Sequence, residues 1–474
     1  MEKIANTNRA IALLTVTLLC LIAMTSCGSK QQPNIIVILA DDAGYADFGF
    51  MGSTDLETPN IDKLAADGVI FTDAHVSATV CAPSRAGLLT GRYQQRSGFE
   101  CNVPPHGKGL GRDEKTIGNA LQAQGYKTIA IGKWHVGETE EHHPNNRGFH
   151  EFYGFLGGSR SYFKDEKVDK EGNPHAILHN KQRVDFKGYL TDVFGDKAVE
   201  YIQQSDEQPF FMYLAFNAVH TPMHAKEEHL KKYEDHSRQQ LAAMTWSFDE
   251  NVGKVVTQLK KQGIYENTLI FFLSDNGGAY NNQSSCLPLK GWKGNKFEGG
   301  HRVPFFITYP SKVTGGQVFN GLTSAFDIFA TSINVAGVRK HHGLPIDGVN
   351  LMPFLNGKKT GNPHEVLFWR KDEMAGARYN EYKLIRLENY GYRLYNLEED
   401  LEEKIDLQYK NDDVFHDIAD KLEAWENKMM EPLWLEEEKW NVVTYEIHQA
   451  LMENRKPKYS SPWSMNRYYK MAEK

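Results

Sequence analysis

Five short runs of apolar, β-branched and aromatic residues, at 34–40, 127–131, 210–216, 268–273 and 304–308, constrain the fold of this chain most. Runs of that length, bounded by polar and turn residues, read as strands buried on both faces, as in parallel sheets. Helical patterns lie between them, at 58–67, 115–124, 190–204 and 237–262. They are punctuated by Thr58-Pro59 at one start and by Gly125 and Gly263 at two ends. Proline fits the first helical turn, and glycine fits the residue after the last. Strands alternating with helices predict an α/β fold, a doubly wound and mostly parallel sheet with helices on both faces. Ligand sites of such sheets lie beyond the carboxyl ends of the strands. Polar residues stand at those ends: Asp41-Asp42 after the first run, Lys133 and His135 after the second, His220 after the third, Asp275-Asn276 after the fourth. They are far apart in sequence and are expected to meet in space.

A chain of 474 residues is long enough for one large domain and a smaller one. We place the catalytic domain at 34–355 and a C-terminal subdomain and tail at 356–474. Within the latter, 366–370, 378–387 and 392–397 read as antiparallel strands and 413–430 as an amphipathic helix, giving a small α+β unit. The tail from 431, rich in Trp and Tyr, is expected to wrap the main domain. The polar insertion 155–190 is expected to form a lid. The net charge of −7, without a basic stripe, argues against nucleic acid as a partner.

Residues 1–27 read as an export signal. Lys3 and Arg9 are followed by an apolar core at 10–24, too short to span a bilayer. Met24-Thr25-Ser26-Cys27 resembles a bacterial lipobox. That implies a lipid anchor at Cys27, a tether at 28–33, and a place in the periplasm or outer membrane of a Gram-negative bacterium, with no other membrane contact. A plain cleaved signal with an incidental cysteine is the alternative. Of the remaining cysteines, Cys101 and Cys286 are available to pair in an oxidising compartment, which leaves Cys81 as the odd, reactive thiol.

Cys81-Ala82-Pro83-Ser84-Arg85 heads a short apolar helix running to Thr90-Gly91-Arg92. A helix start offers free N–H groups and the positive end of the dipole, and Arg85 adds a fixed cationic fork, so Cys81 stands where a sulfate or phosphate would be held. A thiol packing as a small apolar group is the competing reading. This C-x-P-S-R block, followed by L-L-T-G, resembles the core signature of the type I sulfatases, of the alkaline-phosphatase superfamily. Thr79 departs from it, standing where a smaller residue is usual. Four further blocks match that family in the same order. They are Asp41-Asp42, Gly132-Lys133-Trp134-His135-Val136-Gly137, Ala218-Val219-His220-Thr221-Pro222, and Gly291 to Pro304 with Asp275-Asn276 before it. The resemblance covers about 34–350 and is weaker beyond.

The resemblance implies a sulfuric ester hydrolase. It implies that Cys81 is oxidised by a formylglycine-generating maturation enzyme to formylglycine, whose hydrate attacks sulfur. A Ca2+ ion would be held by Asp41, Asp42, Asp275 and Asn276 and shared with residue 81, in keeping with the taste of hard cations for oxygen ligands. Arg85, Lys133 and Lys293 would stabilise the sulfuryl group. His220 would be the acid for the departing alcohol and His135 the base for elimination. The expected substrates are sulfated carbohydrates, with exo-acting removal of a 6-, 4- or 3-O-sulfate from galactose or N-acetylgalactosamine preferred. Glu100, Arg160, Tyr162, His175, His179, His364, Trp369 and Arg370 lie in segments that could reach such a sugar. The competing readings are a phosphonate or phosphate monoester hydrolase of the same superfamily, a phosphatase with two transition metals, and an inactive glycan-binding lipoprotein with Cys81 unconverted.

Overall fold

The structure is a computed structural model that describes residues 32–102, 107–205, 207–338 and 344–459. The export segment and Cys27 lie outside the described residues, and no described helix is long and apolar enough to cross a membrane. A ten-stranded sheet forms the centre, flanked by helices on both faces. Its middle strand is Asn34–Ala40, with every residue buried. That strand runs parallel to Phe210–Ala215 on one side and to Thr268–Ser274 on the other. Lys127–Lys133 and Glu151–Phe155 continue the parallel set. Residues of alternate parity, such as Val37 and Ile38, feed the two cores on opposite faces, as the two-residue period of a strand requires.

The register positions the site. Ala40 pairs with Ser274, Leu39 with Ala215, and Gly132 with Ala215. Asp41, Asp275 and Lys133 therefore leave the sheet at the same level on one edge. The run at 304–308 departs from expectation: Phe305–Thr308 is antiparallel to Thr268–Ser274. A continuous apolar run specifies burial and not direction. Here the connecting segment stays at the carboxyl edge, with only the short 3₁₀ turn Tyr280–Asn282 and the four-residue helix Glu298–His301, so the chain re-enters the sheet from that edge.

The C-terminal unit is a four-stranded antiparallel sheet, Val366–Lys371, Met374–Tyr379, Tyr382–Leu387 and Gly391–Asn396. The expected single strand at 378–387 is two strands, joined where Tyr379 pairs with Tyr382. Its turn opens on Asn380 at φ 48°, and Asp372 and Asn389 do the same at φ 50° and 61°. Asp and Asn tolerate that left-handed backbone, but without a following glycine the turns are faint in sequence. Helix Asp412–Glu426 covers one face through Ile418, Leu422 and Trp425, together with Tyr93 and Phe326 of the main domain. Helix Glu438–Met452 covers the other through Val443, Ile447 and Leu451. Between them the tail lies on the main domain, with Met430 N–H on Gln95 O and Leu433 N–H on Gly98 O.

A directed hydrogen-bond chain ties the two units together. Lys383 Nζ donates to His301 Nε2 at 2.6 Å, the two Nδ1 atoms of His301 and His75 lie 2.9 Å apart, and His75 Nε2 meets Asp73 Oδ1 at 2.9 Å. Since Lys383 occupies the lone pair of His301 Nε2, neutral His301 carries its proton on Nδ1 and passes it toward His75, which then donates to Asp73. Burial lowers both histidines and keeps them neutral. His75, Glu298 and His301 have metal-ligand spacing, but Lys383 at 2.8 Å and Arg302 at 3.4 Å already neutralise Glu298.

Candidate active site

Cys81 opens the helix Cys81–Thr90, in which every residue is buried. The helix closes on Gly91 at φ 68°, whose N–H returns to Gly87 O, a conformation that favours glycine. At its head, Asn102 Oδ1 accepts from Ala82 N–H at 2.9 Å. The thiol is at the focus of the predicted groups. Lys293 Nζ lies 3.2 Å from Cys81 Sγ, and Asp41 Oδ1 and Asp42 Oδ1 lie 3.6 and 3.8 Å away. Burial, with Asp275 close by, raises the thiol far above its usual range, so it holds its proton at neutral pH.

Carboxylates and cations alternate around it. Lys133 Nζ meets Asp41 Oδ2 at 2.6 Å, and Lys293 Nζ meets Asp42 Oδ1 at 2.7 Å. Arg85 places Nη2 at 2.7 Å and Nε at 2.9 Å from Asp275 Oδ2, and donates from Nη1 to Lys133 O. Burial, with Asp275 alongside, raises Asp41 above the carboxylate range. At Asp42 burial is outweighed by Lys293 and His220, which hold its carboxyl below that range. Asn276 Nδ2 donates to Asp42 Oδ1 at 2.8 Å. Its Oδ1 is buried with no hydrogen-bond partner among the described residues, an orphan acceptor among carboxylates. Gly277 follows, where a Cβ would stand 1.8 Å from Gly299 O, so only glycine lets this turn pack against the Lys293 segment.

His220 Nε2 is 3.5 Å from Asp42 Oδ2, while Nδ1 lies 2.5 Å from Thr221 O. Its Nδ1 therefore carries a proton and Nε2 faces the site. Burial lowers it to about 3. Tyr162 holds this loop, its hydroxyl donating to Asn217 O and, at 2.8 Å, to His220 O. His135 is buried beside Gly158, and burial, followed by Lys133 and Arg85, keeps it neutral. Its Nδ1 has no partner among the described residues.

The structure thus brings together Asp41, Asp42, Cys81, Arg85, Lys133, His220, Asp275, Asn276 and Lys293. It gives most of the expected sugar contacts other work. Arg160 is spent on Asp169 (2.9 and 3.1 Å) and on His175 O, so it braces the 155–190 insertion. That insertion is pinned by these bonds and extends the sheet with strands Leu178–His179 and Gln182–Arg183. His179 pairs with Tyr153 at the sheet edge, beside Glu151. Glu100 and Arg370 bind each other at 2.5 Å. His364 donates to Asp327 at 2.7 Å in the join between the two units. Trp369 is buried, bonded to Val76 O and stacked on His301 at 3.8 Å. Of these, Tyr162 borders the site through its bond to the His220 carbonyl, and His175 lies against Gly157, next to the Gly158 that faces His135. Cys101 and Cys286 are unpaired buried thiols, one near Asp372 and one against Gly299 O.

Asn282 and Ser284 are site residues that carry no signature in sequence. Both donate to the Asp42 carbonyl, at 3.1 and 2.9 Å, and Asn282 also donates to Val219 O. They fix the turn that presents Asp42. Thr79, the departure noted above, accepts Lys296 Nζ at 3.2 Å and, through its carbonyl, Gly294 N–H at 2.8 Å.

Comparison with known proteins agrees with this geometry. The family model described as Sulfatase matches residues 33–338, and one described as N-sulphoglucosamine sulphohydrolase, C-terminal, matches 291–430. The N-acetylgalactosamine-6-sulfatase of Mus musculus is 31% identical over 397 residues, spanning 76% of this chain and 73% of its own. The uncharacterised sulfatase YdeN of Escherichia coli (strain K12) is 32% identical over 404 residues, spanning 73% of this chain and 70% of its own. Among solved structures, Ps i-CgsB in complex with k-i-k-neocarrahexaose superposes with a TM-score of 0.82 at 38% identity, covering 88% of this chain and 98% of that one.

Proposed function

This chain belongs to the sulfatase family, and on that premise we propose that it removes O-sulfate from sulfated glycans, with residue 81 as the nucleophile. The observation that carries the nucleophile is the position of Cys81. It sits at a helix N-terminus, 3.2 Å from Lys293 and within 3.8 Å of two carboxylates. A buried, protonated thiol is a poor nucleophile. Its conversion to formylglycine by a maturation enzyme supplies a hydrated aldehyde, whose oxygen attacks sulfur and whose second hydroxyl permits release of sulfate.

The residues fit a divalent cation. Asp41, Asp42, Asp275 and the orphan Oδ1 of Asn276 form an all-oxygen set, the preference of calcium. When bound, calcium supplies positive charge against the sulfuryl oxygens. The charge balance of the site supports this. Lys133, Lys293 and Arg85 each face one of the three carboxylates. With a cation on those carboxylates, Lys133, Lys293 and Arg85 would be left to face an anion, where they hold the sulfate and stabilise charge moving to the leaving oxygen. His220, with Nε2 toward the site, protonates that oxygen once the arriving anion favours its charged form. Neutral His135 accepts the proton in the return to the aldehyde.

We place the substrate among galactose or N-acetylgalactosamine sulfates, removed from a chain end. The mouse relative is named for N-acetylgalactosamine 6-sulfate, and the solved relative holds a neocarrahexaose. The export-like pattern at 1–27 supports a place in the cell envelope, with Cys27 as the lipid anchor. The test is sulfate release by the matured protein from the 3-, 4- and 6-sulfates of both sugars. Release from one regioisomer at rates at least about tenfold above the others is expected. Phosphate release from the matching phosphate esters, without sulfate release, would overturn the reading.

A further inference from the structure

The opening to Cys81 can be located from exposure. Around the thiol, Lys133, Arg85, Asp41, Asp42 and Asp275 have side chains 2% exposed or less, while His220 is 17% and Lys293 19% exposed. Solvent, and with it the substrate, therefore reaches residue 81 between His220 and Lys293. Next to Lys293 in sequence is Trp292, half-buried against the apolar cluster of Phe297, Tyr395 and Val443, with Tyr280 beside it, 54% exposed. Their ring centroids are 5.4 Å apart at 50°.

The backbone beside each ring is tied to the catalytic loops. Ala279 N–H, next to Tyr280, bonds Asp42 O at 3.3 Å, and Asn282 and Ser284 donate to the same carbonyl. Lys293 N–H bonds Gly278 O at 3.0 Å, and Trp292 N–H bonds Asn295 Oδ1 at 2.9 Å. An aromatic face left open beside a polar mouth is available to the apolar face of a ligand. A pyranose ring offers one. In the galacto configuration the axial hydroxyl at C4 leaves the hydrogens of C3, C4 and C5 together on one face.

We propose that Tyr280 and Trp292 are a stacking wall for the galacto-configured ring that carries the sulfate, setting its orientation as the ester enters between His220 and Lys293. This rests on the reading of the chain as a glycan sulfatase. Isothermal titration with N-acetylgalactosamine 6-sulfate, calcium present, on the full chain retaining Cys81 measures binding without turnover. Tyr280→Ala is expected to weaken binding about tenfold and Tyr280→Phe, which keeps the ring, less than about twofold. Leu287→Ala, 71% exposed on the same segment, is the control and leaves affinity unchanged. Equal affinity of Tyr280→Ala and the parent chain overturns the wall, as does the absence of binding by the parent chain. Sulfate release from an aryl sulfate by the matured protein, measured alongside, shows whether the sulfatase reading itself still stands in either case.

Discussion

Replacing Cys81 by alanine is expected to abolish sulfate release by the matured protein, a loss of at least about 10⁴-fold. The side chain at 81 is the point on which Lys293, Asp41 and Asp42 converge, all within 3.8 Å. Removing it leaves the cations able to bind sulfate but nothing to attack it. The variant should still fold, because a single buried sulfur atom is lost from a helix otherwise held by Arg85, Ala82 and Gly91. A melting temperature within a few degrees of the parent, with sulfate release at background, is the expected pair of readings. Cys81→Ser should release no free sulfate and no more than one alcohol per chain. Its hydroxyl can accept a sulfuryl group but lacks the second oxygen needed to expel it. Sustained turnover by either variant would remove residue 81 from the chemistry.

Stripping divalent cations is expected to lower kcat by about 10³-fold or more, with recovery on adding calcium. Three carboxylates within one buried site are stable here only because each holds a cation of the chain. Two of those cations, Lys133 and Lys293, are the groups that must face the sulfate. With the carboxylates left to them, the lysines are occupied by internal pairs and the site has no net positive charge to offer. Calcium should also raise the melting temperature, since a ligand at a hundred times its dissociation constant adds about 2.7 kcal/mol of stability. Asp275→Ala should lose both effects together. It would leave Arg85, fully buried, with Asp41 at 3.7 Å in place of Asp275 at 2.7 Å. Full activity after chelation, with no thermal shift on adding calcium, would exclude the cation from the site.

Much of this architecture can be read from the chain alone, for physical reasons. Strands buried on both faces are continuous apolar runs, so Asn34–Ala40 and Thr268–Ser274 stand out. Residues that leave such strands together must share an edge, so Asp41, Lys133, His220 and Asp275 could be gathered before their contacts were known. The direction of Phe305–Thr308 was not legible, because burial does not encode direction. The hairpin at Asn380 was not legible either, because Asn-Glu is a weak turn signal beside Asn-Gly. The partners of long polar side chains were the least legible. Glu100, Arg160, His364 and Arg370 read as groups free to bind sugar, yet each is neutralised by a partner distant in sequence or across a loop. The contact between Tyr280 and Trp292 was not legible either, since nothing in their spacing shows that two turns fixed to Asp42 and Gly278 bring the rings together.

The most direct measurement is the mass of the peptide carrying residue 81, taken from protein that is actively releasing sulfate after co-expression with a formylglycine-generating enzyme. The expected peptide has lost the thiol and gained a carbonyl oxygen, in proportion to the specific activity of each preparation. Full activity in protein whose residue 81 is entirely unmodified cysteine would contradict the assignment of this residue as a converted nucleophile.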